Sequence, residues 1–203
     1  GDGNVGEKLV KHTNIDIVCF TGSTSVGKVI AKQCAETLKP YILELGGKDP
    51  MIILKDANIN RAIESAIFGG FNNAGQTCIS TEELYVEEKI YEDFIFKITS
   101  RIKNIKSGFN GDYGTMIVDH NAEKVNRHID DAKTNCQIIQ GKTEDEKTFI
   151  PPTLVLEPNE NSMIVNEETF GPVITIRKFS NTNDLIKKIH KTGYGLSSSI
   201  FGK

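Results

Sequence analysis

A glycine-rich turn set between two apolar, β-branched runs constrains this chain more than any other feature. Ile15 to Phe20 (IDIVCF) is short and apolar and reads as a buried strand. Thr21-Gly22-Ser23-Thr24-Ser25-Val26-Gly27 follows it. A helical pattern then runs to Lys39, with Val26, Val29, Ile30, Cys34 and Leu38 on one face, and Pro40 stops it. Tyr41 to Leu45 and Met51 to Leu54 are the next strands. Strand, turn, helix, strand is a βαβ unit, which needs a crossover and so a parallel sheet with helices on it. The fold class that follows is α/β. Cys19 in the first strand and Cys34 on the helix face are expected to pack in a core.

The rest of the chain repeats this alternation more loosely. Residues 4–12 read as the end of a helix, and Ile59 to Phe71 as another. Glu83 to Val86 is strand-like. Tyr91, Phe94, Ile95, Ile98, Ile102 and Ile105 form a strong helical face ended by Gly108. Residues 108–118 read as loop, Asn121 to Lys133 as helix, and Glu144 to Lys147 as an exposed charged loop. Strands are expected at Cys136 to Gln140, Thr153 to Leu156 and Val173 to Phe179, a helix at Asn183 to Lys191, and an edge strand at Ser198 to Phe201. The chain opens on Gly1-Asp2-Gly3-Asn4 and stops straight after its last apolar run, so it reads as an inner piece of a longer chain.

Several function classes are disfavoured by bulk properties. A net charge of -3, with the lysines spread over helix faces, offers no basic stripe for nucleic acid. No apolar run is long enough to span a membrane. The four cysteines, at 19, 34, 78 and 136, have neither metal nor redox spacing, so free thiols in a reducing cytoplasm are expected and no metal site. The four histidines sit among polar residues and read as surface or loop positions.

Three stretches can carry chemistry. Phe71-Asn72-Asn73-Ala74-Gly75-Gln76-Thr77-Cys78-Ile79-Ser80 ends a helix in small and polar residues around one thiol. A thiolate attacks carbonyls well and leaves well, so Cys78 is a candidate nucleophile, against the plainer role of a small packing residue. Leu43-Glu44-Leu45-Gly46-Gly47-Lys48 places an acid at the end of an apolar strand. Burial there would push Glu44 up toward the range a general base needs, unless it simply pairs with Lys48. Gly22 to Lys28 (GSTSVGK) is one residue short of a phosphate-binding P-loop, because Val29 stands where a metal-binding hydroxyl is required. A nucleotide hydrolase is therefore disfavoured. The helix N-terminus after the turn still suits a pyrophosphate without metal, or the segment is a tight turn only. Asn166-Glu167-Glu168-Thr169-Phe170-Gly171-Pro172 reads as a rigid loop before a strand.

Taken together, FTGSTSVGK, LELGGKDP, NAGQTCIS and NEETFGPV, in that order, resemble the signature of the NAD(P)-dependent aldehyde dehydrogenase superfamily along the whole chain. Glu44 precedes Cys78 by 34 residues and Glu168 follows it by 90. The resemblance implies an aldehyde dehydrogenase-like, three-layer, parallel-sheet fold truncated at both ends. It implies oxidation of an aldehyde with NAD or NADP, with Cys78 as nucleophile and Glu44 as water-activating base. Glu168 would bind the nicotinamide ribose and Phe170 the nicotinamide. Gly22, Ser23 and Gly27 would face the pyrophosphate, and Leu45 would border the nicotinamide. Residues 1–46 would be the tail of a Rossmann-like cofactor domain and 47–203 an incomplete catalytic domain of a protein forming dimers or tetramers. The piece alone is expected to be inactive, and a purely binding or packing fragment is the remaining alternative. Glu44 favours hydrolytic over CoA-acylating members, and Lys48-Asp49-Pro50-Met51 with the GQTCIS run leans toward semialdehydes.

Overall fold

Every residue from Gly1 to Lys203 is described by the computed structural model, which divides into two units, Gly1–Gly46 and Gly47–Lys203. In the first unit, helix α1 (Gly3–Lys11) starts where the Asp2 carboxylate accepts from the Asn4 and Val5 N–H groups. Strands β1 (Val18–Thr21) and β2 (Tyr41–Glu44) pair in parallel around helix α2 (Thr24–Ala35). Val10, Ile30 and Cys34 form the small core, with Val18, Phe20 and Leu43 packed against it.

Period-two alternation explains what differs here from the sequence reading. The sheet has two strands, with Val18, Phe20 and Leu43 turned to the core. Cys19 and Glu44 sit at the alternate positions and are exposed, so neither is buried as expected. Val26 and Val29 are exposed as well. Helix α2 stops at Ala35 rather than Lys39. Leu38 turns into the left-handed region (φ 52°), and the Lys39 N–H closes on the Cys34 carbonyl at 2.9 Å. The Lys39 ammonium donates to the Val10 and His12 carbonyls at the end of α1, at 2.5 and 3.0 Å.

The second unit is built on β3 (Asp49–Ile53), α3 (Ile59–Phe71), β4 (Thr81–Glu87), α4 (Tyr91–Ile102) and β5 (Lys106–Ser107). These lead to α5 (Asp119–Lys133), β6 (Gln137–Gln140), β7 (Lys142–Thr143), β8 (Thr153–Leu156) and α6 (Met163–Asn166). The chain finishes with β9 (Val173–Phe179), α7 (Thr182–His190) and β10 (Ser199–Phe201). Six strands form one sheet in the order β10-β3-β4-β9-β8-β6, and every pair is parallel except β8 with β6. β5 and β7, which the sequence reading did not anticipate, make a separate parallel pair.

Central strands β4, β8 and β9 are buried residue after residue rather than alternately. That pattern belongs to a parallel sheet covered on both faces. Leu84, Val86, Phe94, Ile98, Leu154, Ile174 and Ile176 are fully enclosed in one core. No helix is long and apolar enough to cross a membrane.

Close packing of α3 on β9 yields a test. Gly70 faces the Ile174 side chain, and a methyl group there would collide with the Ile174 Cγ1 and Cδ1 atoms. Gly70→Ala should therefore destabilise by ~1–3 kcal/mol, although alanine is the better helix former by about 1 kcal/mol. Ile174→Ala should cost ~2–5 kcal/mol by opening a cavity. In the double variant the new methyl enters that cavity, so urea unfolding should show a loss smaller than the sum by ~1 kcal/mol or more. Strictly additive losses would show that the two positions do not touch.

Candidate active site

Parallel pairing explains why the candidate residues of the second unit meet. Gly47 lies just before β3, Cys78 just before β4, and Glu168 and Phe170 just before β9, so all four sit at the same edge of one sheet. A methyl group on Gly47 would lie 2.6 Å from the Cys78 carbonyl oxygen, so only glycine allows this approach. The Gly47 N–H donates to Glu168 Oε1 at 3.1 Å.

Cys78 is exposed on a turn that is tied down on both sides. After α3 the chain makes a short 3-10 turn, Asn72–Gly75, in which Asn73, Ala74 and Gly75 are left-handed, with φ of 54°, 57° and 70°. Left-handed backbone costs a non-glycine residue about 1–2 kcal/mol, so neighbouring bonds must hold it. Asn73 and Gln76 exchange side-chain amide bonds to each other's carbonyls, both at 3.0 Å. Gln76 Oε1 accepts from the Ile117 N–H at 2.9 Å. Beyond the thiol, the Ser80 N–H donates to the Thr77 carbonyl at 3.0 Å and its hydroxyl to the Gly69 carbonyl at 3.0 Å. A methyl group on Gly75 would strike the Gly171 carbonyl, which locks this turn to the loop before β9.

That loop hangs on buried charge. Lys48 and Glu82 are withdrawn from water and bonded at 2.7 Å. The Lys48 ammonium also donates to the Glu167 carbonyl at 2.8 Å. Both Glu82 oxygens accept from the Thr169 N–H, and Oε1 accepts from the Phe170 N–H, each at 2.9 Å. Phe170 is itself left-handed (φ 55°), a conformation these bonds hold. The Lys124 ammonium donates to the Glu168 carbonyl at 2.5 Å. Half-burial pushes the Glu168 carboxyl above the ordinary carboxylate range, opposed by the Gly47 N–H and assisted by the Glu82 charge.

His128 lies directly behind the loop, and sequence reasoning missed it. Polar neighbours on α5 suggested a surface position, yet the ring is buried, on the helix face that carries Val125, Ile129 and Ala132. Its Nδ1 lies 3.3 Å from the Thr169 hydroxyl and its Nε2 3.5 Å from Glu167. The spacing of His128 from Val125 and Ala132, three and four residues away, is the one sequence signal that could have found it. Lys48, the partner offered to Glu44 by the sequence, is bonded instead to Glu82.

In the first unit Gly22, Ser23, Gly27 and Leu45 form a second constellation. The Gly22 N–H donates to the Glu44 carbonyl at 3.0 Å, closing the turn after β1. The Ser23 hydroxyl caps α2 by accepting from the Val26 N–H at 3.3 Å. Gly27 is buried under Leu45, whose side chain occupies the space a Cβ would need. The positive end of α2 follows Gly22 and Ser23, with Gly27 inside the first turn, and it fits the negative charge of a dinucleotide. The half-buried Glu168 carboxylate is of the right kind to accept from sugar hydroxyls. There is no cluster of three or more His, Cys, Asp or Glu side chains that could hold a metal.

Comparisons with known proteins give the family of the chain. Residues 1–203 match the aldehyde dehydrogenase family. The chain is 33% identical over 208 residues to succinate-semialdehyde dehydrogenase (NADP+) of Escherichia coli, covering 99% of this chain and 43% of that one. It is 34% identical over 207 residues to D-glyceraldehyde dehydrogenase (NADP+) of Picrophilus torridus, covering 97% and 42%. The NAD+ complex of an aldehyde dehydrogenase from Bacillus cereus superposes with a TM-score of 0.94 at 34% identity, covering all of this chain and 43% of that one. The chain thus spans less than half the length of these relatives. Nothing in these matches favours a nucleotide hydrolase.

The His128 environment gives a pH test. Burial and the cations Lys124 and Lys48 lower its pKa, against the raising effect of Glu167 and Glu82. The unfolded chain, with an ordinary imidazole near ~6.5, then binds more protons than the folded one. Stability due to His128 is complete above that value and falls as the pH drops toward the folded pKa, by at most ~1.4 kcal/mol per pH unit. Urea unfolding at mildly acid and neutral pH should therefore show a smaller acid loss in His128→Gln than in the parent. Equal losses in the two would place the titrating group elsewhere.

Proposed function

The chain belongs to the aldehyde dehydrogenase family, and on that premise we propose that its protein oxidises an aldehyde to a carboxylic acid through Cys78. The supporting observation is the position of Cys78, exposed on a tied-down turn and backed by Gly47, whose N–H holds Glu168. A bound NAD or NADP supplies the hydride acceptor.

Cys78 Sγ, as thiolate, adds to the aldehyde carbon and forms a C–S bond, leaving a thiohemiacetal oxyanion. The backbone N–H of Cys78 is one donor to that oxygen. Loss of hydride from the same carbon restores the C=O bond and leaves an acyl thioester on Cys78. Glu44 takes a proton from water, the resulting oxygen attacks the thioester, and cleavage of the C–S bond frees the acid and the thiolate. With the cofactor bound, Glu168 would accept from the nicotinamide ribose, and Phe170 and the Leu45 backbone would border the nicotinamide. Gly22 and Ser23 would present the start of α2 to the pyrophosphate, with Gly27 in the first turn beneath Leu45. The first unit is then the tail of the cofactor domain and the second the body of the catalytic domain.

Relatives carry the names of several aldehydes, among them succinate semialdehyde, glutarate semialdehyde and salicylaldehyde. We lean toward a semialdehyde on the motif around Lys48 and Cys78. The proposal extends to a cytoplasmic homo-oligomer, dimer or tetramer, of the longer protein. Residues 1–203 alone should turn over no aldehyde, which a coupled NADH assay on the purified chain reads directly.

Cys78 and Glu44 act in different half-reactions, so their variants should fail differently in the complete protein. Cys78→Ser should abolish turnover. Glu44→Gln keeps the shape and removes the base, so steady-state turnover should fall by ~10²–10⁴. One hydride transfer per site should survive, seen as an NADH burst of no more than one equivalent with an acyl adduct on Cys78 in the intact mass. Hydroxylamine should partly restore turnover. Unchanged turnover in Glu44→Gln would remove Glu44 from the mechanism, and full activity in Cys78→Ser would sink the proposal.

A further inference from the structure

On the second unit, away from Cys78, a cavity of about 190 Å³ opens between β4, β9, α6 and α7, and Arg177 lines it. We propose that this cavity binds a small oxyanion, a carboxylate or a phosphate, through the free edge of the Arg177 guanidinium.

Arg177 lies on β9 with its side chain only 6% exposed. A buried guanidinium keeps its charge, and donors left unpaired inside a protein are costly. Yet Nε and Nη2 have no partner and, as they stand, are closed to solvent, so an anion in the cavity engages them by a turn of the guanidinium toward it. Those two atoms form one edge of the guanidinium plane, and their N–H bonds point the same way. A single water oxygen cannot meet both squarely. Two oxygens of one carboxylate or phosphate can, which is the bidentate pairing arginine makes best. The third nitrogen, Nη1, is 4.0 Å from Glu160, within Coulombic reach but beyond a hydrogen bond.

Charge around the cavity agrees with an anion. Lys188 and Lys191 stand at the mouth with Glu160, and Lys188 is bonded to Glu160 at 3.1 Å. Glu83 opposes them from β4. Its Oε1 accepts from the Tyr85 hydroxyl at 3.2 Å and its Oε2 has no partner. Three cations thus face two acids. Burial pushes the Glu83 carboxyl upward, against the pull of Lys48 and Arg177, which lessens its opposition to an anion. The size also fits, since the cavity exceeds the space of one water several times over, taking ~30 Å³ for each.

The test uses the full chain with inorganic phosphate and succinate as probes, and chloride as the control at equal ionic strength. The chain has four arginines, so the Nε–H resonances form a short, assignable set. Phosphate or succinate should shift the Arg177 Nε–H signal with a saturable isotherm, and the probe that saturates at lower concentration identifies the oxyanion class. Arg177→Lys keeps the charge but loses the fork, and should weaken binding about tenfold or more. Should that variant fold poorly, Lys188→Gln, which alters only the mouth, should still weaken binding severalfold. Glu83→Gln removes the opposing charge and should tighten it. An Arg177 signal that does not move or moves equally with chloride, or a calorimetric affinity for the probe that is unchanged in both Arg177→Lys and Lys188→Gln, would overturn the site.

Discussion

Lys48 and Glu82 hold each other out of water, and the loop that carries Glu168 and Phe170 takes its shape from them. Desolvating two charges costs several kcal/mol each, and their attraction repays this only when the remaining hydrogen-bonding capacity is used. Here it is used on backbone. The ammonium reaches the Glu167 carbonyl, and the carboxylate takes the N–H groups of Thr169 and Phe170. An apolar pair of equal volume would match the packing but could not choose a backbone conformation. The ion pair therefore contributes specificity more than stability: it selects the left-handed Phe170 that follows Glu168 and Thr169.

Topology decides where that loop can act. Because β3, β4 and β9 are parallel neighbours, the segments entering them stand side by side, however far apart in sequence. Gly47, Cys78 and Glu168 come together by this rule, and Asp49 shows the same effect with the segment entering β10. Its carboxylate accepts from the Ser197 N–H at 3.1 Å and from the Ser197 hydroxyl. An antiparallel sheet would send alternate entry segments to opposite edges.

Much of this was legible in the sequence, and the failures share a cause. Helix α3 and strand β9 were read to the residue, since long periodic runs bounded by turn residues leave little choice. Cys19 and Glu44 were read as buried because an apolar run does not say how many faces its sheet will cover. In a two-stranded sheet the alternate residues stay outside. His128 was misread in the opposite sense, since its partners Thr169 and Glu167 lie about forty residues away and no local pattern announces them. The Lys48–Glu82 bond is invisible for the same reason. Short elements such as β5, β7 and α6 fell below the length at which periodicity carries a signal.

The left-handed run at Asn73, Ala74 and Gly75 has a consequence for anyone recombining such proteins. Gly75 lies so close to the Gly171 carbonyl that the Cys78 turn and the loop before β9 behave as one moulded piece. Segments 72–80 and 166–172 therefore form a single unit of inheritance, though 85 residues separate them. A chimera that swaps one without the other would join mismatched halves of a cast, whereas a swap of both would carry its own fit along.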